Sequence, residues 1–425
     1  MPLGRPITRR AACGIHLSGN SGRGEETVSV IEYDVIIIGA GVAGLTAGAR
    51  LAEDGYRVAL VTKGEPTACL STGCIDVCSL DHDPMHAISH LPEEHPYHLT
   101  ARASIRGALD RFKSSLNEIG AQYTGTLENN RYILSALGTY KTTCLTPVTM
   151  SAVPQNDDED IHIITFSGLK DFYPSYIISR RKNSSSSIYD AGASTTMGLA
   201  ANFEQEEFLE NFIVWLEKQN IRESKIAFPA VLGLESAAKI AQKIQNRLGR
   251  KVFEIPTIPP SMPGRRLFNA LKHYFRKKGG TIYWSWPVSG VEKSGNIIEA
   301  VITPSEGRPN SLNAKAFVLG TGSFVGGGLT AGRSKITEIV FDLPVHTPGS
   351  RDDWFDNDYF SINHGIGTAG IIADASFRPK ESPWENIFVC GSILAHTKIL
   401  KYGCGHGLAV VTGHAAAKAC AEYIR

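Results

Sequence analysis

Tyr33-Asp34-Val35-Ile36-Ile37-Ile38-Gly39-Ala40-Gly41-Val42-Ala43-Gly44-Leu45 is the stretch that decides the fold. Val35, Ile36, Ile37 and Ile38 form an uninterrupted apolar run, the signature of a strand buried on both faces. The run enters Gly39-x-Gly41-x-x-Gly44 and then an alanine-rich helix that ends near Asp54, with Gly55 as its stop. Gly39 suits the tight turn, Gly41 the close approach of backbone to a pyrophosphate, and Gly44 the packing of helix on strand. The helix start offers unpaired N–H groups and a positive dipole end to phosphate. Residues 56–61 supply the second strand of a βαβ unit, which gives the glycine triplet the context it needs for a dinucleotide or flavin site. The second strand closes on Val61-Thr62-Lys63-Gly64, where a ribose-binding carboxylate is usual, and Glu65 is the nearest acid.

A chain of 425 residues buries a large core and is expected to form more than one domain. With net charge +1 and 20% charged residues it carries no signature of a nucleic-acid surface. No apolar run is long enough to span a bilayer. Residues 1–31, with Arg5, Arg9, Arg10 and Arg23 among glycines, lack the apolar centre of a secretory signal and read as a flexible extension. The eight cysteines suggest reduced thiols of a cytoplasmic protein rather than a disulfide framework. Cys69, Cys74 and Cys78 admit two readings, small buried hydrophobes or a redox or cluster-ligating group. A metal site would want a fourth ligand and tighter spacing, and none is expected.

Beyond the second strand, the loop Ser71-Thr72-Gly73-Cys74-Ile75-Asp76 offers small residues and hydroxyls to a flat ring and its phosphate tail. No histidine lies between Lys63 and Asp76, so no histidyl-linked flavin is expected there. Helical spacing marks 103–119, and the acidic connector 151–160 marks a boundary. Strands are expected at 161–166, 225–229 and 251–255, helices at 208–219 and 236–248, and a loop at the serine run 184–187. Pro256-Thr257-Ile258-Pro259-Pro260-Ser261-Met262-Pro263-Gly264 is a rigid loop that delivers Arg265 and Arg266 to a helix start. There they suit a phosphate or carboxylate, or equally a solvated helix face. The last third returns to the first fold. Residues 316–319 run into Gly320-Thr321-Gly322, residues 387–389 precede Gly391-Ser392, and Gly403-Cys404-Gly405-His406-Gly407 opens a final helix. A glycine-rich helix start there would stabilise negative charge on a reduced flavin. The expectation is an α/β protein with a Rossmann-like flavin-binding domain built from both ends of the chain (32–150 and 311–425). An α/β cap is inserted at 151–310. Gly39, Gly41, Gly44, Lys63, Ser71, Thr72, Gly73, Gly322, Gly391, Ser392, Gly405 and Gly407 are the candidate cofactor contacts.

Several of these segments recur together in one family. Val35–Gly44, the 71–76 loop, Ser167-Gly168-Leu169-x-Asp171-Phe172 and Pro256-Thr257-x-Pro259-Pro260-Ser261-x-x-Gly264-x-Arg266-Leu267 come in the same order. So do Leu319-Gly320-Thr321-Gly322-Ser323-Phe324-x-Gly326-Gly327-Gly328-Leu329, Asn386-x-Phe388-x-x-Gly391-Ser392 and Gly403-Cys404-Gly405-x-Gly407. From about Tyr33 onward the chain resembles the B subunit of the anaerobic glycerol-3-phosphate dehydrogenase. The departures are the N-terminal extension, the three cysteines and His406. The resemblance implies a non-covalent flavin, usually FMN, whereas the glycine motif by itself suits FAD. It also implies two partners, an FAD-containing A subunit and, at the inner face of the cell membrane, an iron–sulfur C subunit. The implied reaction is oxidation of sn-glycerol 3-phosphate to dihydroxyacetone phosphate, with electrons passed towards a quinone. On that reading Arg265 or Arg266 holds the phosphate, and His364 and His406 are the base candidates. Two alternatives stand beside it: a self-contained fumarate reductase- or aspartate oxidase-like flavoenzyme, and a non-catalytic assembly subunit.

Overall fold

The computed structural model describes residues 31–154, 158–181, 183–305 and 309–425. The expected extension therefore lies almost wholly outside the described residues. Strand β1 (Ile31–Ile38) sits near the middle of a seven-stranded sheet. On one side it pairs in parallel with β2 (Val58–Thr62), its partner across the crossover helix α1 (Val42–Glu53). Long apolar runs without alternation pair this way because both sheet faces are covered.

Helix α2 (Arg102–Glu118) follows and packs on the same body. The chain then leaves to build a second, four-stranded sheet from β3 (Ile161–Phe166), β4 (Ser184–Tyr189), β5 (Lys225–Pro229) and β6 (Lys251–Ile255). Their order is β6-β5-β3-β4, all parallel. Helices α3 (Thr196–Phe203), α4 (Glu206–Glu217) and α5 (Ala237–Leu248) belong to this lobe. Its core is a separate apolar cluster containing Phe166, Phe203, Phe212, Phe228 and Phe253.

The serine run expected as a loop is instead the edge strand β4. Parallel backbone pairing with β3 from Ile161↔Ser184 to Phe166↔Tyr189 holds it. The ring nitrogens of buried His162 bond the hydroxyls of Ser185 (2.6 Å) and Ser187 (3.0 Å). Sheet pairing uses the backbone, so an edge strand needs little apolar side-chain content on its outer face.

The chain rejoins the first lobe earlier than residue 310. Helix α6 (Met262–Lys277) packs on α1, and β7 (Thr281–Trp284) extends the large sheet beside β2. Strands β8 (Gly290–Ser294) and β9 (Ile297–Thr303) run antiparallel to one another, and β9 pairs likewise with β10 (Asn310–Leu319). β10 pairs in parallel with β1, and its last residues pair with β11 (Ile387–Val389). The large sheet thus reads β7-β2-β1-β10-β9-β8, with β11 also on β10. Residues 262–303, expected in the insert, pack with the first lobe, where their strands complete the first sheet rather than the second. Asn386, fully buried, stitches this corner: its amide donates to the Ile298 carbonyl (2.8 Å) and accepts from the Ile298 N–H (3.1 Å).

The final helix α7 (Gly405–Ile424) lies against α1. A Cβ at Gly413 would overlap the Ala43 carbonyl, so glycine lets the two helices approach backbone to backbone. Among the described residues no helix is long and apolar enough to cross a membrane.

Candidate functional site

β1 and β10 end in register at Ile38↔Leu319, so Gly39 and Gly320 lie side by side at the carboxyl edge of the sheet. A cleft of about 660 Å³ opens there. Ligands in doubly wound sheets bind outside the carboxyl ends of the strands, where these segments converge. Ala40 and Gly41 at the start of α1, the 61–72 segment, Thr321 and Gly322, Gly391 and Ser392, and Gly405 and His406 all line it.

The residues of this cleft fit a phosphate-bearing cofactor. Gly41 is the N-cap of α1 and no side chain caps that helix, so its first N–H groups face the cleft uncapped. A Cβ built on Gly41 would touch only the Gly320 oxygen, at 3.9 Å, and would occupy open cleft space. The Thr321 hydroxyl, also in the lining, is buried and has no hydrogen-bond partner among the described residues. Lys63 lines the cleft with its ammonium held close over Gly327.

This geometry separates two glycines that sequence reasoning grouped together. Gly41→Val is expected to leave the fold intact, with Tm within a few degrees, yet to lower bound flavin at least about tenfold, since the side chain fills the phosphate seat. Gly44→Ala is expected to unfold or aggregate, because its Cβ would overlap the Gly39 carbonyl inside the βα turn. Flavin absorbance per chain together with a melting curve checks both.

Of the expected cofactor contacts, Gly39, Gly41, Lys63, Ser71, Thr72, Gly322, Gly391, Ser392 and Gly405 line the cleft. Gly44, Gly73 and Gly407 do not. Gly44 packs under the turn; Gly73, with φ +71°, lets the loop pass Pro263; Gly407 lets α7 meet Asp76 and Val77. The Ser71 hydroxyl is spent locally, donating to the Ala68 carbonyl (2.7 Å) and accepting from the Gly73 N–H (3.1 Å).

The two arginines do not reach the cleft. Arg266 forks onto Glu254, with Nη1–Oε2 at 2.6 Å and Nη2–Oε1 at 3.1 Å, and its Nε donates to the Gly233 carbonyl (2.9 Å). The Glu254 side chain is fully buried and also accepts the Leu232 N–H (2.9 Å), so this pair locks α6 to β6 across the two lobes. Arg265 forks onto Glu65 at 2.6 and 2.8 Å, and that guanidinium holds the Glu65 carboxyl below the usual carboxylate range. Guanidinium forks seek carboxylates wherever the fold offers one, and here it offers two.

His364 is likewise not in the cleft lining. Its Nδ1 accepts the Asp356 N–H (2.9 Å) and its Nε2 faces the Tyr359 carbonyl (3.3 Å), so it organises its own surface loop. His406 is in the lining. Its Nδ1 lies 2.9 Å from the Cys74 carbonyl, which has no proton to give, so Nδ1 carries the hydrogen and Nε2 is left with a lone pair. Burial holds its pKa below the ordinary histidine value, so the neutral ring is the resting form.

Sequence reasoning missed Lys141, whose ammonium contacts both Asp76 oxygens at 2.7 Å in the same cleft. It arrives from the hairpin Arg131–Leu134/Tyr140–Thr143, and nothing in its local sequence marks it. The cysteines resolve towards packing. Cys69, Cys74 and Cys78 are buried free thiols, and burial raises all three pKa values, that of Cys74 to about 11. Among the described residues no group of His, Cys, Asp and Glu could hold a metal ion.

Residues 34–408 match the family described as FAD binding domain. The B subunit of anaerobic glycerol-3-phosphate dehydrogenase from Aliivibrio fischeri is 27% identical, covering 93% of this chain and 96% of that one. A probable B subunit from Halobacterium salinarum is also 27% identical, over 93% and 99%. Among solved structures, FrdA of E. coli quinol fumarate reductase aligns over 93% of this chain and 71% of that one, at 10% identity and a TM-score of 0.46. The chain belongs to the FAD-binding domain family, and its sequence relatives are B subunits of anaerobic glycerol-3-phosphate dehydrogenase.

Proposed function

We propose that this chain is the flavin-carrying B subunit of an anaerobic glycerol-3-phosphate dehydrogenase. It works with an FAD-containing A subunit and, at the inner face of the cell membrane, an iron–sulfur C subunit. The observation that carries the proposal is the near full-length relation to B subunits combined with a cleft whose phosphate seat and neutral histidine share one cavity. The flavin assigned to this cleft is FAD. The uncapped start of α1 beside Gly39 and Gly41 suits a pyrophosphate, and the same lining takes in Glu65 and His406.

When bound, the flavin supplies a two-electron acceptor for the carbinol hydrogen of sn-glycerol 3-phosphate. The chain's own part is to exclude water, seat the phosphates and handle the proton. His406 Nε2 accepts the hydroxyl proton as the ketone of dihydroxyacetone phosphate forms, while the Cys74 carbonyl fixes the ring and its tautomer. The N-terminus of α7 adds positive potential beside that position. A second reading is favoured by one observation: both arginines expected to hold the substrate phosphate are engaged by carboxylates. On it, the partner subunit oxidises the substrate, while this chain relays electrons.

The test is to release and identify the cofactor by chromatography, then titrate the chain with glycerol 3-phosphate, alone and with the A subunit. FAD bleached in the isolated chain supports catalysis here. Bleaching that needs the A subunit supports the relay. FMN corrects the cofactor only, and no flavin under any condition overturns the proposal.

A further inference from the structure

We propose that Asp76 and Lys141 are a positioning pair that sets the protonation of His406, a role that rests on the assignment of His406 as the base. Three segments distant in sequence meet at one point. Loop 71–76 is bound to the start of α7 twice, through Cys74 O to His406 Nδ1 (2.9 Å) and Asp76 O to the Gly407 N–H (2.9 Å). The same loop is bound to the hairpin segment through Ile75 and Leu145 (2.8 and 3.2 Å). These bonds hold Asp76, Lys141 and His406 around one wall of the cleft.

The two charges act on the ring in opposite senses. The Asp76 carboxylate favours an imidazolium, and the Lys141 ammonium opposes it. Paired at 2.7 Å through both carboxylate oxygens, each offsets the other's effect on the ring, and that balance lets burial keep the ring neutral. Lys63 and Glu65 also line the cleft, but the charges that act on the His406 ring are those of Asp76 and Lys141. Burial raises the pKa of Cys74 and of Cys404 at the head of the same helix. The Tyr97 hydroxyl, also raised far above its ordinary value, donates to the Val77 carbonyl (2.8 Å). Lys398 and Lys401, on the turn before α7, are outside the cleft lining. The bidentate pair is one-fifth exposed on its carboxylate side and over one-third exposed on its lysine side, so either member can be changed without leaving a fully buried charge.

The experiment titrates His406 by NMR in the flavin-loaded full chain, its signal assigned by His406→Gln, in wild type, Lys141→Met and Asp76→Asn. Removing Lys141 frees the carboxylate and is expected to raise the His406 pKa by roughly one unit; removing the carboxylate frees the ammonium and is expected to lower it by a similar amount. In the assembled complex the acid limb of kcat/KM is expected to move in the same two directions, and Lys141→Arg and Asp76→Glu to restore it. Shifts of equal sign in the two variants, or none, overturn the inference. Opposite NMR shifts in a complex that does not oxidise glycerol 3-phosphate would instead overturn the functional reading and leave the pairing standing. A variant that fails to fold is replaced by its conservative counterpart, whose titration must then match wild type.

Discussion

His406→Gln, assembled with the A and C subunits, is expected to lose about 10²–10⁴-fold in kcat for glycerol 3-phosphate while retaining its flavin. Glutamine can keep a donor near the Cys74 carbonyl but has no lone pair of comparable basicity at the Nε2 position. The flavin should stay because the expected phosphate seat is built from other residues of the lining, Gly39 and Gly41. Turnover and flavin content, measured on the same preparation, separate loss of the base from loss of the cofactor. The wild-type pH profile carries the matching sign. A base whose pKa is lowered by burial is active when deprotonated, so kcat/KM should be level around neutrality and fall only as pH drops below the ordinary histidine range. Unchanged kcat in His406→Gln would assign proton abstraction to the partner subunit.

Arg266→Met is expected to destabilise the chain by about 3–5 kcal/mol, the cost of leaving a buried carboxylate without its partner. Glu254 has a fully buried side chain, and its remaining bond, to the Leu232 N–H, cannot offset the loss of a bidentate guanidinium. The double variant Arg266→Met/Glu254→Gln should recover part of the loss, because no unpaired charge is then buried. Denaturant melts of the three proteins test this. KM for glycerol 3-phosphate in whatever fraction folds should stay within a few fold of wild type. A large rise in KM with unchanged stability would return Arg266 to the phosphate-binding role that its position after a Pro/Gly loop suggested.

Arg266 also shows where reading the sequence stops. Two guanidiniums at a helix start are compatible with a phosphate, with solvent or with a carboxylate. Which one they meet depends on Glu65 and Glu254, brought from 200 and 12 residues away. The histidines divide for the same reason. His364 and His406 both neighbour glycines, yet only His406 is carried into the cleft, by the return of α7 onto α1.

The β1–α1–β2 unit and the return of β10, β11 and α7 to the same edge were legible in the sequence. They are written locally, in apolar runs of strand length that end at glycines. In the second lobe α4, α5, β3, β5 and β6 were legible from their apolar patterning. The edge strand β4 was not, since its pairing is backbone to backbone and its serines carry no apolar signal. Only the folded chain decided that 262–303 belong to the first sheet, and that Lys141 lies on Asp76 beside His406. Strand partners and ion pairs between distant segments depend on which surfaces remain to be covered once the local units form. That is a property of the packed whole, with no local spacing to announce it.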